Sequence, residues 1–189
     1  MINMNNNYQI TDFIQSNVLR FLKEDDICID ATLGKGRDSL FLLQHIPHGF
    51  LYGFDIQERA ISASDTLLKE KGFTNYSLIH DSHEHILNYI DKPIGCAMFN
   101  LGYLPGGDHE VFTSADSTIK AVNSCLELLR VNGIISVCFY PGTQGGLAEQ
   151  QQTLEYLKDL DPSRFLVLVN SFHNRPNRPP LPVFIIRLK

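Results

Sequence analysis

Two glycines, Gly34 and Gly36, stand one residue apart in the stretch DATLGKGRD, directly after the short apolar run ICIDAT. Glycine carries no side chain, so a loop with two glycines lets a ligand come close to the backbone. An apolar run followed by such a loop is typical of a strand that ends at a binding site. The residues around the two glycines indicate which ligand would fit.

Three ligands commonly use a glycine loop of this kind: a dinucleotide, a phosphate group and S-adenosyl-L-methionine. A dinucleotide loop has the pattern GxGxxG, and Ser39 stands where its third glycine would be. The segment GKGRDS also lacks the GxxxxGK[ST] spacing of a phosphate-binding loop. S-adenosyl-L-methionine needs close backbone approach, a carboxylate near its ammonium group and an acid for its ribose. The loop therefore favours S-adenosyl-L-methionine.

Acidic and polar residues follow the next apolar runs at suitable places. Asp30 supplies a carboxylate for the ammonium group, and Asp55 can accept hydrogen bonds from both ribose hydroxyls. Asp81 or Ser82 is expected near the adenine amino group, with Ile56 as an apolar face for the ring. The alternative is that these residues form turns and cap helices. The predicted cofactor-binding residues are Asp30, Thr32, Gly34, Gly36, Asp38, Asp55, Ile56, Asp81, Ser82 and Asn100.

The segment FNLGYLPGGD, residues 99–108, ends the fourth apolar run. An Asn followed by a short turn and an aromatic residue is typical of methyltransferases that act on amino groups. The acceptor nitrogen must point its lone pair at the methyl group, so an amide oxygen holds its hydrogens while an aromatic ring stacks on the base. Asn100 and Tyr103 are the predicted catalytic residues. The alternative is a loop in which Asn100 caps and Tyr103 covers the sheet edge.

Seven short β-rich runs alternate with helical patterns along the chain. The predicted strands are 27–32, 50–55, 76–80, 94–100, 134–140, 165–172 and 182–188, and the predicted helices are 11–23, 37–46, 57–71, 82–90, 114–130 and 146–159. Strand–helix–strand units bury both faces of a parallel sheet, so the pattern predicts a three-layer α/β sandwich. The segment HNRPNRPPL is too short for a helical crossover, so the seventh strand is expected to return antiparallel. This is the Rossmann-like arrangement of class I methyltransferases.

The composition fits one domain over residues 1–189. The net charge of −5 argues against indiscriminate binding of nucleic acid, but no acidic residue occurs from Pro162 to the end. No apolar stretch is long enough to cross a membrane and the start lacks a secretory signal, so a cytoplasmic protein is expected. The four cysteines form no CxxC pair and are expected to be buried, reduced thiols.

The segment HDSHEH raises the question of a metal site, because closely spaced histidines can chelate. A helix starting after Asp81 would point His83 and His85 about 200° apart, so a solvated helix start is expected and no metal is predicted. Glu149, with its neighbours in the sequence EQQ, is expected on a helix surface.

Nearly the whole chain resembles a family of small class I methyltransferases of Gram-positive bacteria that are labelled rRNA methylases. The segments that carry the resemblance are DATLGKGRDSLFL, YGFDIQ, FNLGYLPGGD, YPGTQGG and NRPNRPPLPVFII. The resemblance implies S-adenosyl-L-methionine-dependent conversion of 5-aminomethyl-(2-thio)uridine to 5-methylaminomethyl-(2-thio)uridine at the tRNA wobble position. The family usually has His after YxG, where this chain has Thr143 and Gln144. An rRNA or small-amine methyltransferase and a non-catalytic binding module remain the alternatives.

The expected partner is the anticodon stem-loop of tRNA, with a homodimer as a further expectation. Basic residues in the strand-end loops are predicted to bind its phosphates, because all these loops share one edge of the sheet. His173 precedes the NRPNRPP loop and is expected either to contact substrate or to be structural. The predicted substrate-binding residues are Lys35, Arg37, Tyr103, Pro105, Tyr140, His173, Arg175, Asn177 and Arg178.

Overall fold

The computed structural model describes residues 9–101, 114–142 and 146–189. Its strands are β1 (Ile27–Asp30), β2 (Phe50–Asp55), β3 (Tyr76–His80), β4 (Ile94–Leu101), β5 (Leu129–Phe139), β6 (Phe165–Val169) and β7 (Leu181–Arg187). Its helices are α1 (Ile10–Val18), α2 (Arg37–His45), α3 (Glu58–Glu70), α4 (Ala115–Leu128) and α5 (Gly146–Lys158), with a 3₁₀ helix at His83–Asn88. Strands and helices alternate as the sequence predicts up to β6.

The seven strands form one sheet in the order β3-β2-β1-β4-β5-β7-β6. The pairings from β3 to β5 are parallel, whereas β7 lies between β5 and β6 and pairs antiparallel with both. The proline-rich loop between β6 and β7 turns the chain back without a crossover. The predicted antiparallel last strand is therefore confirmed.

Helices cover both faces of the sheet, as the predicted three-layer sandwich requires. One buried cluster contains Ile14 of α1, Leu42 of α2 and Leu68 of α3, and lies against alternate residues of the central strands. The other contains Ile86 of the 3₁₀ helix and Val122 of α4. Successive strand residues point to opposite faces, so each central strand contributes to both cores and is apolar almost throughout.

The strand order places a switch point between β1 and β4. The chain builds the sheet outward from β1 to β3 and then returns to the other side of β1 with β4. The carboxyl ends of these neighbouring strands diverge toward opposite sides, which opens a crevice where ligands of open α/β sheets bind. Asp30 ends β1 and Asn100 lies at the end of β4, so both residues border this crevice.

The structure differs most from the prediction in four elements. The helix predicted over 11–23 ends at Val18, the helical region predicted over 82–90 is a short 3₁₀ helix, and β6 ends at Val169 rather than at residue 172. Strand β5 begins at Leu129, directly after α4, instead of at 134. Asn132, with φ of 58°, and Gly133 resemble a turn in the sequence, but here they form a bulge inside one strand.

All four cysteines are buried and free, as predicted. Within the described ranges, no helix is both long enough and apolar enough to cross a membrane.

Candidate active site

The glycine loop joins β1 to α2 and needs glycine at both positions. Gly34 and Gly36 have φ of 52° and 70°, in the left-handed region that side chains disfavour. A Cβ at Gly36 would also lie 2.8 Å from Ser64 Oγ of α3. Gly36 is the N-cap of α2, so the loop leads directly to a helix N-terminus. The tight turn leaves backbone at the crevice, where a ligand can approach it.

Asp55 ties the glycine loop to the end of β2. Its Oδ2 accepts a hydrogen bond from the Gly34 N–H at 2.9 Å, and its Oδ1 accepts one from the Gln57 N–H at 2.9 Å. Each carboxylate oxygen has a second lone pair, and the side chain is only half-buried. Asp55 can therefore accept two further hydrogen bonds, as the two hydroxyls of a ribose would require.

Asp30 lies beneath the loop with only 1% of its surface exposed. Ser39 Oγ donates to its Oδ2 at 2.7 Å, and the Thr32 N–H donates to its Oδ1 at 3.3 Å. Burial, followed by the nearby charge of Asp38, raises the pKa of Asp30 to about 7. A cation bound next to Asp30 would favour its ionised form, so the site is suited to an ammonium group.

Asp38, in the first turn of α2, joins α1 to the end of β4. Gln15 Nε2 of α1 donates to its Oδ1 at 2.9 Å, and Asn100 Nδ2 donates to its Oδ2. Burial raises the pKa of Asp38, and the two amide donors oppose that effect. The Asn100 N–H also donates to Thr32 Oγ1 at 2.7 Å. Asn100 is thus fixed at both its backbone and its side chain.

The residues after β2 and β3 lie farther along the same edge. Ile56 is 51% exposed and presents an apolar surface next to Asp55. The Asp81 carboxylate accepts from the Ser82 N–H, binds His85 Nδ1 at 3.0 Å and accepts from Tyr89 Oη at 2.8 Å. Ser82 caps the 3₁₀ helix. The predicted contact of Asp81 or Ser82 with an adenine remains a prediction.

His83 is not part of a solvated helix start, because it is only 7% exposed. Its Nδ1 lies 3.0 Å from the Ala31 carbonyl oxygen, next to the glycine loop, and its ring meets Phe99 edge-on. A carbonyl only accepts, so Nδ1 carries the proton, and burial lowers the pKa of the ring. His83 therefore supports the loop as a neutral side chain, whereas His85 is exposed as expected.

Glu149 is a second residue whose surroundings the sequence did not indicate. It lies in the first turn of α5, is 6% exposed, and accepts a hydrogen bond from Thr118 Oγ1 at 2.7 Å. The predicted helix-surface position is wrong for this residue. Its polar partner comes from α4, 31 positions away in the chain, which no local pattern reveals.

The predicted substrate residues occupy two ends of the same edge. Lys35 is exposed on the glycine loop, and Arg37 is exposed at the first position of α2. At the other end, the β6–β7 loop exposes His173, Arg175, Asn177 and Arg178, the last two with positive φ. Tyr140 follows β5 and is half-buried, and burial raises its pKa. Tyr103, Pro105, Thr143 and Gln144 lie outside the described residues.

No group of three or more His, Cys, Asp or Glu side chains is placed to hold a metal ion among residues 9–101, 114–142 and 146–189. The described part of the crevice is lined by the glycine loop, by carboxylates and by the Asn100 amide. Together with the sheet order and the antiparallel last strand, these features define a Rossmann-like class I methyltransferase. The chain belongs to the family described as "Putative rRNA methylase", whose model matches residues 51–186.

Two crystal structures and one curated relative show the extent of the similarity. A "putative rRNA-methylase" from Clostridium thermocellum is 37% identical, with a TM-score of 0.93 over 97% of this chain and all of that chain. A "putative methyltransferase" from Streptococcus mutans in complex with SAH is 33% identical, with a TM-score of 0.88 over 96% of this chain and 99% of that one.

The curated relative is "tRNA (mnm(5)s(2)U34)-methyltransferase, chloroplastic" from Arabidopsis thaliana. It is 32% identical to this chain over an alignment of 179 positions that covers 88% of this chain. The matched region spans 65% of the length of that relative.

Proposed function

We propose that this protein transfers a methyl group from S-adenosyl-L-methionine to the amine of 5-aminomethyl-(2-thio)uridine at the wobble position of tRNA. The observation that carries the proposal is the fixed Asn100 amide, bound to Asp38 beside the glycine loop. The similarity to the chloroplast tRNA methyltransferase supports the tRNA substrate. When bound, the cofactor supplies an electrophilic methyl group on a sulfonium.

The described residues of the crevice fit this cofactor in four ways. The backbone at Gly34 and Gly36 allows close approach, and Asp30 provides a buried carboxylate for an ammonium group. Asp55 has acceptor capacity left for ribose hydroxyls, and Ile56 offers an exposed apolar surface for a ring. These contacts come from the ends of β1 and β2, which are adjacent in the sheet.

The Asn100 side chain is oriented for an amine acceptor. The Asn100 NH₂ group donates to Asp38 Oδ2, so this end of the amide is turned toward the carboxyl group of Asp38. The amide oxygen then faces away from Asp38 and can accept an N–H of the substrate amine. Holding the nitrogen in this way directs its lone pair, and alignment of this kind can supply up to about 7–11 kcal/mol of a barrier.

The substrate amine must be neutral when it attacks, because an ammonium has no lone pair to donate. The proton that the substrate amine loses can pass to solvent or to a weak acceptor. No strong base is required, since alignment supplies much of the acceleration. Tyr103 and Pro105 are proposed to stack on the uracil, and Lys35, Arg37, Arg175 and Arg178 to contact anticodon phosphates. His173, Asn177 and Tyr140 complete the proposed substrate surface, and a homodimer is the proposed assembly.

Mass spectrometry of tRNA nucleosides from a strain lacking this protein tests the proposed substrate. We expect the methylaminomethyl nucleoside to disappear and its aminomethyl precursor to accumulate. The family name points to ribosomal RNA as the competing substrate. Purified protein should therefore also be incubated with labelled S-adenosyl-L-methionine and separated RNA fractions. Label in rRNA alone would contradict the tRNA assignment.

An Asp55→Ala variant is expected to bind S-adenosyl-L-methionine about 10- to 150-fold more weakly, since it loses charge-assisted hydrogen bonds worth about 1.5–3 kcal/mol. Part of the loss of affinity is expected to come from the glycine loop, because Asp55 also accepts a hydrogen bond from the Gly34 N–H. Calorimetric titration measures the affinity. Asp65→Ala, which removes a partly exposed acid of α3 that contacts Lys69 and Tyr76, is the matched control and should bind as the wild type does. Equal affinity of both variants would limit Asp55 to a capping role.

A further inference from the structure

A cavity of about 440 Å³ lies between the start of α1 and the base of the β6–β7 hairpin. This volume is within the range of roughly 300–1,000 Å³ that is usual for small-molecule sites. The proposed cofactor and acceptor residues do not line it. The residues that matter for its chemistry are Phe13, Val169, Asn170, Ser171, Phe172 and Pro182.

The lining combines aromatic rings with a few neutral polar groups. Phe13 of α1 and Phe172 of the hairpin loop provide the rings, and Pro182 adds an apolar surface. Asn170 and Ser171 are the polar residues of the lining; the Asn170 NH₂ group also donates to the Pro182 carbonyl oxygen at 3.5 Å, which leaves its Oδ1 as an acceptor. Rings that stack on a base and amides or hydroxyls that bind its edge are the means by which proteins recognise unpaired nucleobases.

The base of the hairpin is fixed by backbone pairing. The Asn170 N–H donates to the Pro182 carbonyl oxygen at 2.9 Å, one residue beyond the last paired position of β6, Val169 with Val183. Pro182 itself is buried and pairs with Cys138 of β5. These contacts hold one wall of the cavity in place in the described structure.

The cavity lies close to the proposed acceptor site. Asn100 pairs with Cys138, and Cys138 pairs with Pro182, so the three residues form one row across β4, β5 and β7. Neighbouring strands are about 4.8 Å apart, which places the Pro182 backbone roughly 10 Å from that of Asn100. Helix α1 also connects the two places, because Phe13 lines the cavity and Gln15 binds Asp38.

The charge around the cavity suits a polyanion. Arg175 and Arg178 are exposed three and six positions after Phe172, on the same loop. No acidic residue occurs between Pro162 and Lys189, although the whole chain carries a net charge of −5. Stacking rings next to a positively charged loop are characteristic of sites for single-stranded nucleic acid.

We propose that this cavity binds a second nucleobase of the substrate RNA, from an unpaired nucleotide flanking the methylated uridine. Phe13 and Phe172 contact the face of that base, Asn170 and Ser171 contact its edge, and Arg175 and Arg178 bind the adjoining phosphates. The inference rests on the proposed function, since it requires an RNA substrate. It assigns recognition of sequence around the target to a site separate from the one that holds the target.

The test measures binding of an anticodon stem-loop that carries 5-aminomethyluridine, together with a series in which each flanking loop nucleotide is abasic. We expect Phe172→Ala to weaken binding of the intact stem-loop about 5- to 150-fold, while Phe172→Tyr retains wild-type binding because it keeps a ring. For the wild type, removal of the base at one flanking position should weaken binding to a similar degree. Phe172→Ala should bind this abasic stem-loop as tightly as it binds the intact one. Leu166→Ala, an exposed apolar position of β6 outside the cavity, is the control and should bind normally.

Unchanged affinity for S-adenosyl-L-methionine would show that Phe172→Ala is folded. Wild-type binding by that variant overturns the inference, and so does an abasic effect that adds fully to the Phe172→Ala effect. A wild-type protein that neither binds nor methylates the stem-loop refutes the proposed tRNA function instead. If the wild type methylates the stem-loop and Phe172→Ala binds it with the same affinity, only the second base site is refuted.

Discussion

An Asn100→Ala variant is expected to lower turnover about ten- to a thousandfold while its affinity for S-adenosyl-L-methionine stays within a few-fold of wild type. The lost amide contributes to alignment of the amine in the transition state, so the loss appears in kcat more than in cofactor binding. This corresponds to about 1.4–4 kcal/mol of transition-state stabilisation. Single-turnover kinetics on the modified stem-loop, with cofactor affinity from calorimetry, separate the two quantities.

Asn123→Ala is the matched control for this variant. Asn123 lies on the exposed side of α4, where its side chain contacts Glu127 and Tyr156. Its loss should leave turnover unchanged. If Asn100→Ala methylates tRNA at the wild-type rate, the acceptor amine is held elsewhere, and the role of Asp38 in orienting Asn100 is also wrong.

The alternation of elements made the fold predictable from the sequence. A parallel strand buried on both faces is apolar at most of its positions, so β1, β4 and β5 stand out, and the gaps between strands are long enough for helices. The proline-rich loop before β7 is too short for a crossover, which alone indicates an antiparallel return. These features are local in the chain, and a local pattern can be read without coordinates.

The supporting contacts of the site were not predictable, because they join distant parts of the chain. Asn100 and Asp38 are 62 positions apart, and His83 and Ala31 are 52 positions apart. The sequence placed Asp38 among the cofactor contacts, whereas the structure also shows it holding Asn100. His83 resembled a polar helix start because its burial depends on Phe99 and the glycine loop. Only the folded sheet brings these residues together.

The buried carboxyl groups Asp30 and Asp38 make stability depend on pH. An unfolded Asp30 would titrate near its ordinary pKa of 3.8, but in the folded protein its pKa is raised to about 7. The folded state therefore binds more protons than the unfolded state between these values, and stability falls as pH rises through this window. Above pH 7 the full cost of burying the charge applies. One pKa unit corresponds to about 1.4 kcal/mol, so this cost is on the order of 4 kcal/mol.

An Asp30→Asn variant is expected to be more stable than wild type at pH 8, by an amount on the order of 2–4 kcal/mol, with the difference shrinking as the pH falls toward 4. The amide can keep two of the local bonds, because its oxygen can accept from the Thr32 N–H and its NH₂ can donate to Ser39 Oγ, while the backbone hydrogen bond from Ser39 is weakened. The same variant should bind S-adenosyl-L-methionine at least tenfold more weakly, since a neutral amide attracts an ammonium group less than a carboxylate does. Urea denaturation between pH 4 and 8, with calorimetric titration of the cofactor, measures both effects.

Asp81→Asn is the control of opposite sign: its contacts with His85 and Tyr89 lower the pKa of Asp81, so this variant should be less stable than wild type at neutral pH. An Asp30→Asn protein whose stability follows the wild-type pH profile would show that Asp30 does not carry the buried charge.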